Sequence, residues 1–183
     1  SYKPNKKMEL YVRYRQKLKQ ANTKETNTMI AFIDNTQKES IRFNSSYKVS
    51  EMITLRNRVE FLKYKNGEQK PELGYLVYQD VMFKTHHNPF SCSLRFALFE
   101  TDSYNARMYA FENDVLYAYS IPAYYYRGTR TYIILQYNLL LNIDIWLRWG
   151  QTYYSNRDVI SSGLSEIQGH TKTDVKAQMR YTF

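Results

Sequence analysis

Cysteine is almost missing from this chain. Cys92 stands alone among 183 residues, so there is no disulfide framework, no Cys-X-X-Cys and no zinc-ligand spacing. Long apolar runs are missing too. None approaches the roughly 18–20 residues that a spanning helix needs, and mean hydropathy is −0.63, which excludes a helical membrane protein. Helical periodicity is scarce, and histidine is limited to His86, His87 and His170. Glycine (6) and proline (4) are few beside 19 tyrosines. Aromatics make up 16% of the chain, too many for intrinsic disorder, whose segments are aromatic-poor. The amino terminus carries no signal peptide, so any leader is expected outside these residues. Basic residues number 26 against 17 acidic ones, a formal charge of +9 on one domain's length of chain, 1–183.

What is abundant is alternation. Met8, Leu10, Val12 and Tyr14 alternate with Glu9, Tyr11, Arg13 and Arg15. Ile41, Phe43 and Tyr47 alternate with Arg42, Asn44 and Lys48; Ile53, Leu55, Val59 and Phe61 with Thr54, Arg56, Arg58 and Glu60. Ile143, Ile145, Leu147 and Trp149 oppose Asp144, Trp146, Arg148 and Gly150, and Val175, Ala177, Met179, Tyr181 and Phe183 oppose Asp174, Lys176, Gln178, Arg180 and Thr182. Successive strand side chains point to opposite faces, so the chain reads as all-β, each sheet having one apolar and one polar face. The stretches run to about ten residues or more, whereas soluble strands average about five or six; ten is the length a tilted strand needs to cross a bilayer. A soluble barrel or sandwich, with the apolar face as core, is the competing reading.

A repeated unit orders these strands. An aromatic strand end, a short polar turn and a strand with an inward arginine recur at Tyr2–Arg13, Tyr47–Arg58 and Tyr137–Arg148, and one residue longer at Phe83–Arg95. Short turns on one rim with longer connections (21–38 and 155–172) on the other describe an antiparallel up-and-down transmembrane β-barrel. Parity then calls for about ten strands, near 7–20, 39–49, 52–65, 72–84, 90–101, 105–112, 115–126, 129–138, 143–154 and 173–183. Glu112-Asn113-Asp114 would make the turn inside 105–126. Pro122 is the weak point, because proline cannot donate to a ladder; one bent strand there would give nine. Because Tyr2 sits where Tyr47 and Tyr137 sit, the chain is expected to be the carboxy-terminal part of a longer protein, closing its own barrel or completing a larger one.

The terminal run Ala177-Gln178-Met179-Arg180-Tyr181-Thr182-Phe183 resembles the closing strand of outer-membrane β-barrels, in which Met179, Tyr181 and Phe183 would form the signal read by the barrel-assembly machinery. Three stretches are also similar to the carboxy-terminal barrel region of Bacteroidota helix-hairpin-helix-domain outer-membrane proteins: 111–117, 120–130 (Ser120-Ile121-Pro122-Ala123-Tyr124-Tyr125 onward), and 142–169 from Asn142-Ile143-Asp144-Ile145 to Gly169. The helix-hairpin-helix modules themselves are absent here. The resemblance implies an integral protein of the bacterial outer membrane, an anchor or conduit of a larger envelope protein or complex. Its implied partners are outer-membrane lipid and other envelope proteins.

Candidate sites follow from the faces. Arg13, Arg56, Arg58, Arg95, Arg148 and Arg180, with Arg15, fall on the inner face as a basic ladder, joined by Glu9, Glu60, Asp80, Asp144 and Asp174. They would pass or hold anions, nucleic-acid phosphates among them, or would pair across strands and fill a narrow lumen. Tyr2, Tyr47, Phe83 and Tyr137 would form an aromatic girdle on the turn rim, with Trp149, Tyr153 and Tyr154 near the other. Tyr124, Tyr125, Tyr126, Arg127 and Arg130 mix aromatic and basic groups, as a stacking platform or as more girdle. Cys92 points to the apolar side. No catalytic, cofactor or metal site is expected. His86 and His170 fall on opposite rims, adjacent His86 and His87 diverge, and Ser155, Ser161, Ser162 and Ser165 read as loop residues. A DNA-binding or DNA-uptake protein is the first alternative, and an outer-membrane hydrolase the second.

Overall fold

The computed structural model describes residues 1–23, 32–85, 89–140 and 142–183. In chain order the strands are β1 (Tyr2–Asn5), β2 (Met8–Thr23), β3 (Phe32–Lys48), β4 (Ile53–Asn66), β5 (Glu72–Lys84), β6 (Phe90–Thr101), β7 (Met108–Tyr109), β8 (Ala123–Tyr124), β9 (Arg127–Leu140), β10 (Ile143–Tyr154), β11 (Val159–Ile160), β12 (Ile167–Gln168) and β13 (Thr171–Tyr181). Nine of them form a single antiparallel up-and-down sheet in the order β1-β2-β3-β4-β5-β6-β9-β10-β13. The long strands run 11 to 17 residues. Short β1 covers only the foot of β2, from Tyr2↔Leu10 to Asn5↔Met8. β2 and β13 do not pair with each other, so among the described residues the sheet has two edges and the expected barrel is not closed.

One register holds across the sheet. Tyr47, Leu55, Val81, Leu94, Ile133, Trp149 and Val175 are successive pairing partners on β3, β4, β5, β6, β9, β10 and β13. All lie on the outer face, where Tyr47 is 43% and Val175 71% exposed. The inner face inverts the usual order: Arg58, Glu60, Asp80, Arg95, Arg130, Asp144 and Arg148 are all buried. The outer face is therefore apolar, and the buried arginines and acids share the inner one, as the alternation predicts.

The correction concerns 105–126. Its two limbs are extended, and they meet as an out-and-back hairpin through Met108↔Tyr124, Tyr109↔Ala123 and the bridge Glu112↔Ser120. They do not join the sheet. β6 pairs directly with β9 from Phe90↔Tyr137 to Glu100↔Arg127, and the hairpin folds onto the inner face instead. Parity is satisfied by no additional strand as well as by two, and the turn between the limbs spans 113–119 rather than Glu112–Asp114 alone. The limb 105–112 buries its even side chains, Ala106, Met108, Ala110 and Glu112, while Tyr109 and Phe111 stay exposed. Small residues and a carboxylate on the buried side suit packing against an arginine-bearing surface, not a place in a sheet with an apolar outer face. Gly74 on β5 admits the close approach: a Cβ there would lie 3.2 Å from the Ala106 carbonyl oxygen.

Candidate functional site: the arginine face and its inner hairpin

The hairpin crosses the sheet by offering carbonyls to cations, one strand after another. Lys38 Nζ on β3 donates to the carbonyls of Asn105 (3.3 Å) and Arg107 (2.9 Å). Arg58 on β4 donates to the Tyr109 carbonyl at 3.1 Å, Arg95 on β6 to Phe111 at 2.7 Å, and Arg148 on β10 to Asn113 at 3.2 Å. Every acceptor has an odd number, because alternate carbonyls of an extended segment point the same way. Basic side chains thus satisfy backbone acceptors that a neighbouring strand would otherwise take.

Carboxylates from the hairpin complete the arrangement. Glu112, fully buried, accepts from Arg130 Nε (2.6 Å) and Nη2 (2.9 Å), from Arg148 Nη2 (2.5 Å) and from the Tyr124 hydroxyl (2.9 Å). The buried Asp114 carboxylate accepts from Lys176 Nζ at 2.5 Å and lies 3.7 Å from Arg148 Nε. Asp174 on β13 also pairs with Arg148 and lies 3.4 Å from Arg130. Burial, and then the Glu112 carboxylate, push the Tyr124 phenol well above its ordinary value. Within the sheet, Arg95 clasps Asp80 with both ends of its guanidinium (2.5 and 2.7 Å) and stacks over Tyr78 at 3.7 Å. Arg180 pairs with Asp144 and lies over Trp146. Two apolar clusters bracket this charged belt. One gathers Leu62, Leu76, Phe99, Met108, Tyr124 and Tyr154; the other joins Val115 to Tyr132, Ile134 and Trp146.

Of the predicted ladder, Arg58, Arg95 and Arg148 converge on the hairpin, and Arg180 is held by its own pair. Arg56 is exposed, beside a smaller cavity lined by Glu9, Tyr11 and Tyr78. Arg13 lies in a different cavity, of about 280 Å³, with Arg15, Lys17, Lys38, Arg42 and Arg107; Glu60 is its single carboxylate. Sequence reasoning missed Glu112, Asp114 and Arg130 as a network. The available signal was that Glu112 shares the parity of Ala106, Met108 and Ala110.

Tyr2, Tyr47, Tyr137, Trp149 and Tyr153 lie exposed, and half-buried Phe83 contacts Phe90 with ring centroids 6.3 Å apart. Two girdle assignments need correction. Tyr154 points inward and is buried, and Tyr124 is fully buried in the hairpin with Tyr125 packed beside it. Aromatic type alone cannot tell a rim from a core, since both favour it. Trp149 pairs with Ile133 and Val175 at mid-strand rather than near a rim. Of the terminal residues, Met179 and Tyr181 lie on the exposed outer side of β13, and Phe183 follows that strand. Cys92 is half-buried, opposite Phe83 and Leu135. His170 sits 3.4 Å from Asp158 beyond the small β11–β12 hairpin; His86 and His87 lie outside the described residues.

No protein-family model, no curated protein and no solved structure matches this chain.

Proposed function

We propose that the chain is an integral β-barrel segment of a bacterial outer membrane, serving as a non-enzymatic anchor for a larger envelope protein or complex. One observation carries the reading: the sheet turns an unbroken row of large apolar side chains, from Tyr47 to Val175, away from its own packed interior. Buried charges gather on the inner side, where Arg95, Arg130, Arg148 and Arg180 meet carboxylates. Soluble proteins rarely leave contiguous apolar patches beyond a few hundred Å² uncovered, and hydrocarbon is the environment that such a face suits. Strands of 11–17 residues are long enough to cross the hydrocarbon at a tilt.

The inner hairpin favours anchor over open conduit. It occupies the face that would line a channel, and six of the strands under it, β3, β4, β6, β9, β10 and β13, hold it by hydrogen bonds. The two tryptophans give the test. Trp149 is on the outer face, and Trp146, 5% exposed, is on the inner one. In vesicles containing lipids brominated on their acyl chains, Trp146→Phe, which keeps Trp149, is expected to be quenched severalfold more than Trp149→Phe. Equal quenching, or a full chain that stays monomeric in buffer without detergent, would refute the proposal.

A further inference from the structure

Across most of the inner face each cation has an acid: Arg95 has Asp80, Arg130 has Glu112, Arg148 has Glu112, Asp114 and Asp174, Lys176 has Asp114, and Arg180 has Asp144. The balance fails at one place. The cavity between β2, β3, β4 and the start of the hairpin is walled by Arg13, Arg15, Lys17, Lys38, Arg42 and Arg107 against Glu60 alone. Glu60 is already committed, one oxygen to Arg42 (3.0 Å) and the other to Arg58. Among the described residues no ion pair reaches Arg13, Arg15, Lys17, Lys38 or Arg107.

The register makes the imbalance sharper. Arg13 is the direct cross-strand partner of Arg42, and Lys17 of Lys38; Arg15 lies between them on the same face, opposite Ser40. Like charges placed directly opposite destabilise a sheet. Here two such pairs sit four residues apart with Arg15 between them, and the hairpin adds Arg107 from above. Three donors in this quarter, Arg13 Nε, Arg42 Nε and Arg58 Nε, are buried without a hydrogen-bond partner. Buried donors ordinarily find partners, so the cavity is short of acceptors as well as of negative charge. A second cavity of about 280 Å³ shares Lys17, Lys38, Arg107 and Tyr109 with the first, and extends the basic wall to Lys19.

We infer that this cavity is a binding site for a compact polyanion carrying two or more phosphoryl groups. Such a ligand supplies the missing acceptors and several negative charges in a small volume. Guanidinium groups suit phosphoryl oxygens because their planar forks donate two parallel hydrogen bonds. A volume of about 280 Å³ lies just below the range of roughly 300–1,000 Å³ for small-molecule sites, which favours a compact anion over a polymer. The inference uses only the inner-face geometry, so it is independent of what covers the outer face.

The test is calorimetric titration of the full chain, in uncharged detergent at low ionic strength, with inorganic tripolyphosphate. Orthophosphate, sulfate and a single-stranded oligonucleotide serve as comparison ligands. Saturable tripolyphosphate binding that weakens with salt is expected. The double variant R13Q/R15Q, whose side chains have no acidic partner to lose, should weaken it by about tenfold to a hundredfold, the scale of one charged hydrogen bond. It should also raise the unfolding temperature of the unliganded protein by removing repulsion. Lys176→Gln, which removes one positive charge from a balanced part of the face, should leave affinity unchanged. The inference is overturned by no binding, by equal weakening in the double variant and Lys176→Gln, or by binding of the oligonucleotide alone. None of these outcomes alters the tryptophan result, so the two proposals fail separately.

Discussion

Replacing Glu112 with glutamine is the most direct way to ask what holds the hairpin against the sheet. The carboxylate is fully buried and accepts four hydrogen bonds, two from Arg130, one from Arg148 and one from Tyr124. Removing one partner of a buried ion pair costs about 3–5 kcal/mol, because the charge left behind is neither solvated nor paired. Two features place this site at the lower end. Arg148 keeps Asp174 and Asp114, and Arg130 keeps the Thr152 hydroxyl at 2.7 Å and Asp174 at 3.4 Å. The glutamine carbonyl also still accepts. A loss of about 3 kcal/mol follows, which at a urea slope of roughly 2 kcal/mol/M moves the midpoint down by about 1.5 M. Equilibrium urea unfolding of the full chain, followed by tryptophan fluorescence, reads this, since Trp146 packs in the cluster beside the hairpin's Val115. A double-mutant cycle with Arg148→Gln should show coupling of about 1–3 kcal/mol. A midpoint within about 0.3 M of the parent, with no coupling, would mean that apolar packing holds the hairpin and the charges are incidental.

Other outcomes follow from the same geometry. Gly74→Val should loosen the hairpin, because even a Cβ would meet Thr101 Cγ2 at 2.9 Å and the Ala106 carbonyl at 3.2 Å; faster amide exchange in 105–126 than in the β5–β6 ladder is the readout. Leu94→Arg on the outer face should cost about 2–4 kcal/mol in lipid if its position is near mid-membrane, and close to nothing if that face meets water; refolding yield into vesicles distinguishes the two. For Tyr124 the folded phenol holds its proton above the ordinary value near 10, so the folded state binds more protons there. The contribution of Tyr124 to stability should therefore be constant below about pH 10 and be lost above it, and Tyr124→Phe should remove part of that alkaline loss in a pH series of urea midpoints. If the proposed outer-membrane reading holds and the terminal strand directs assembly, Phe183→Ala should lower the amount of chain inserted in a cell's outer membrane while leaving refolding in detergent intact, measured by fractionation against in vitro yield.

Local pattern made much of this legible. Strand boundaries such as 72–84, 90–101 and 143–154 agree with the structure residue for residue, and the faces of Arg58 and Leu55 are as expected. These are period-two properties of a single segment, decided by where consecutive side chains point. The aromatic turn repeat likewise placed the turn at 49–52 between two antiparallel strands. Arg58, Arg95 and Arg148 share the buried side of the sheet, yet their partners were not legible. Arg58, Arg95 and Arg148 meet carbonyls of residues 109, 111 and 113, and no spacing in the chain encodes which backbone a guanidinium will find.

The hairpin shows where that boundary lies. Alternation through 105–112 marks an extended limb, and Asx residues after it mark a reversal; both are properties of neighbours along the chain. Whether such a limb extends the sheet or lies across it depends on which surface satisfies its carbonyls and buries Ala106, Met108, Ala110 and Glu112. That surface is assembled from β3, β4, β6, β9, β10 and β13, from Lys38 to Lys176, and it exists only once those strands have paired. Direction of side chains is a local matter of covalent geometry; choice of partner is a matter of distant residues brought within hydrogen-bond reach.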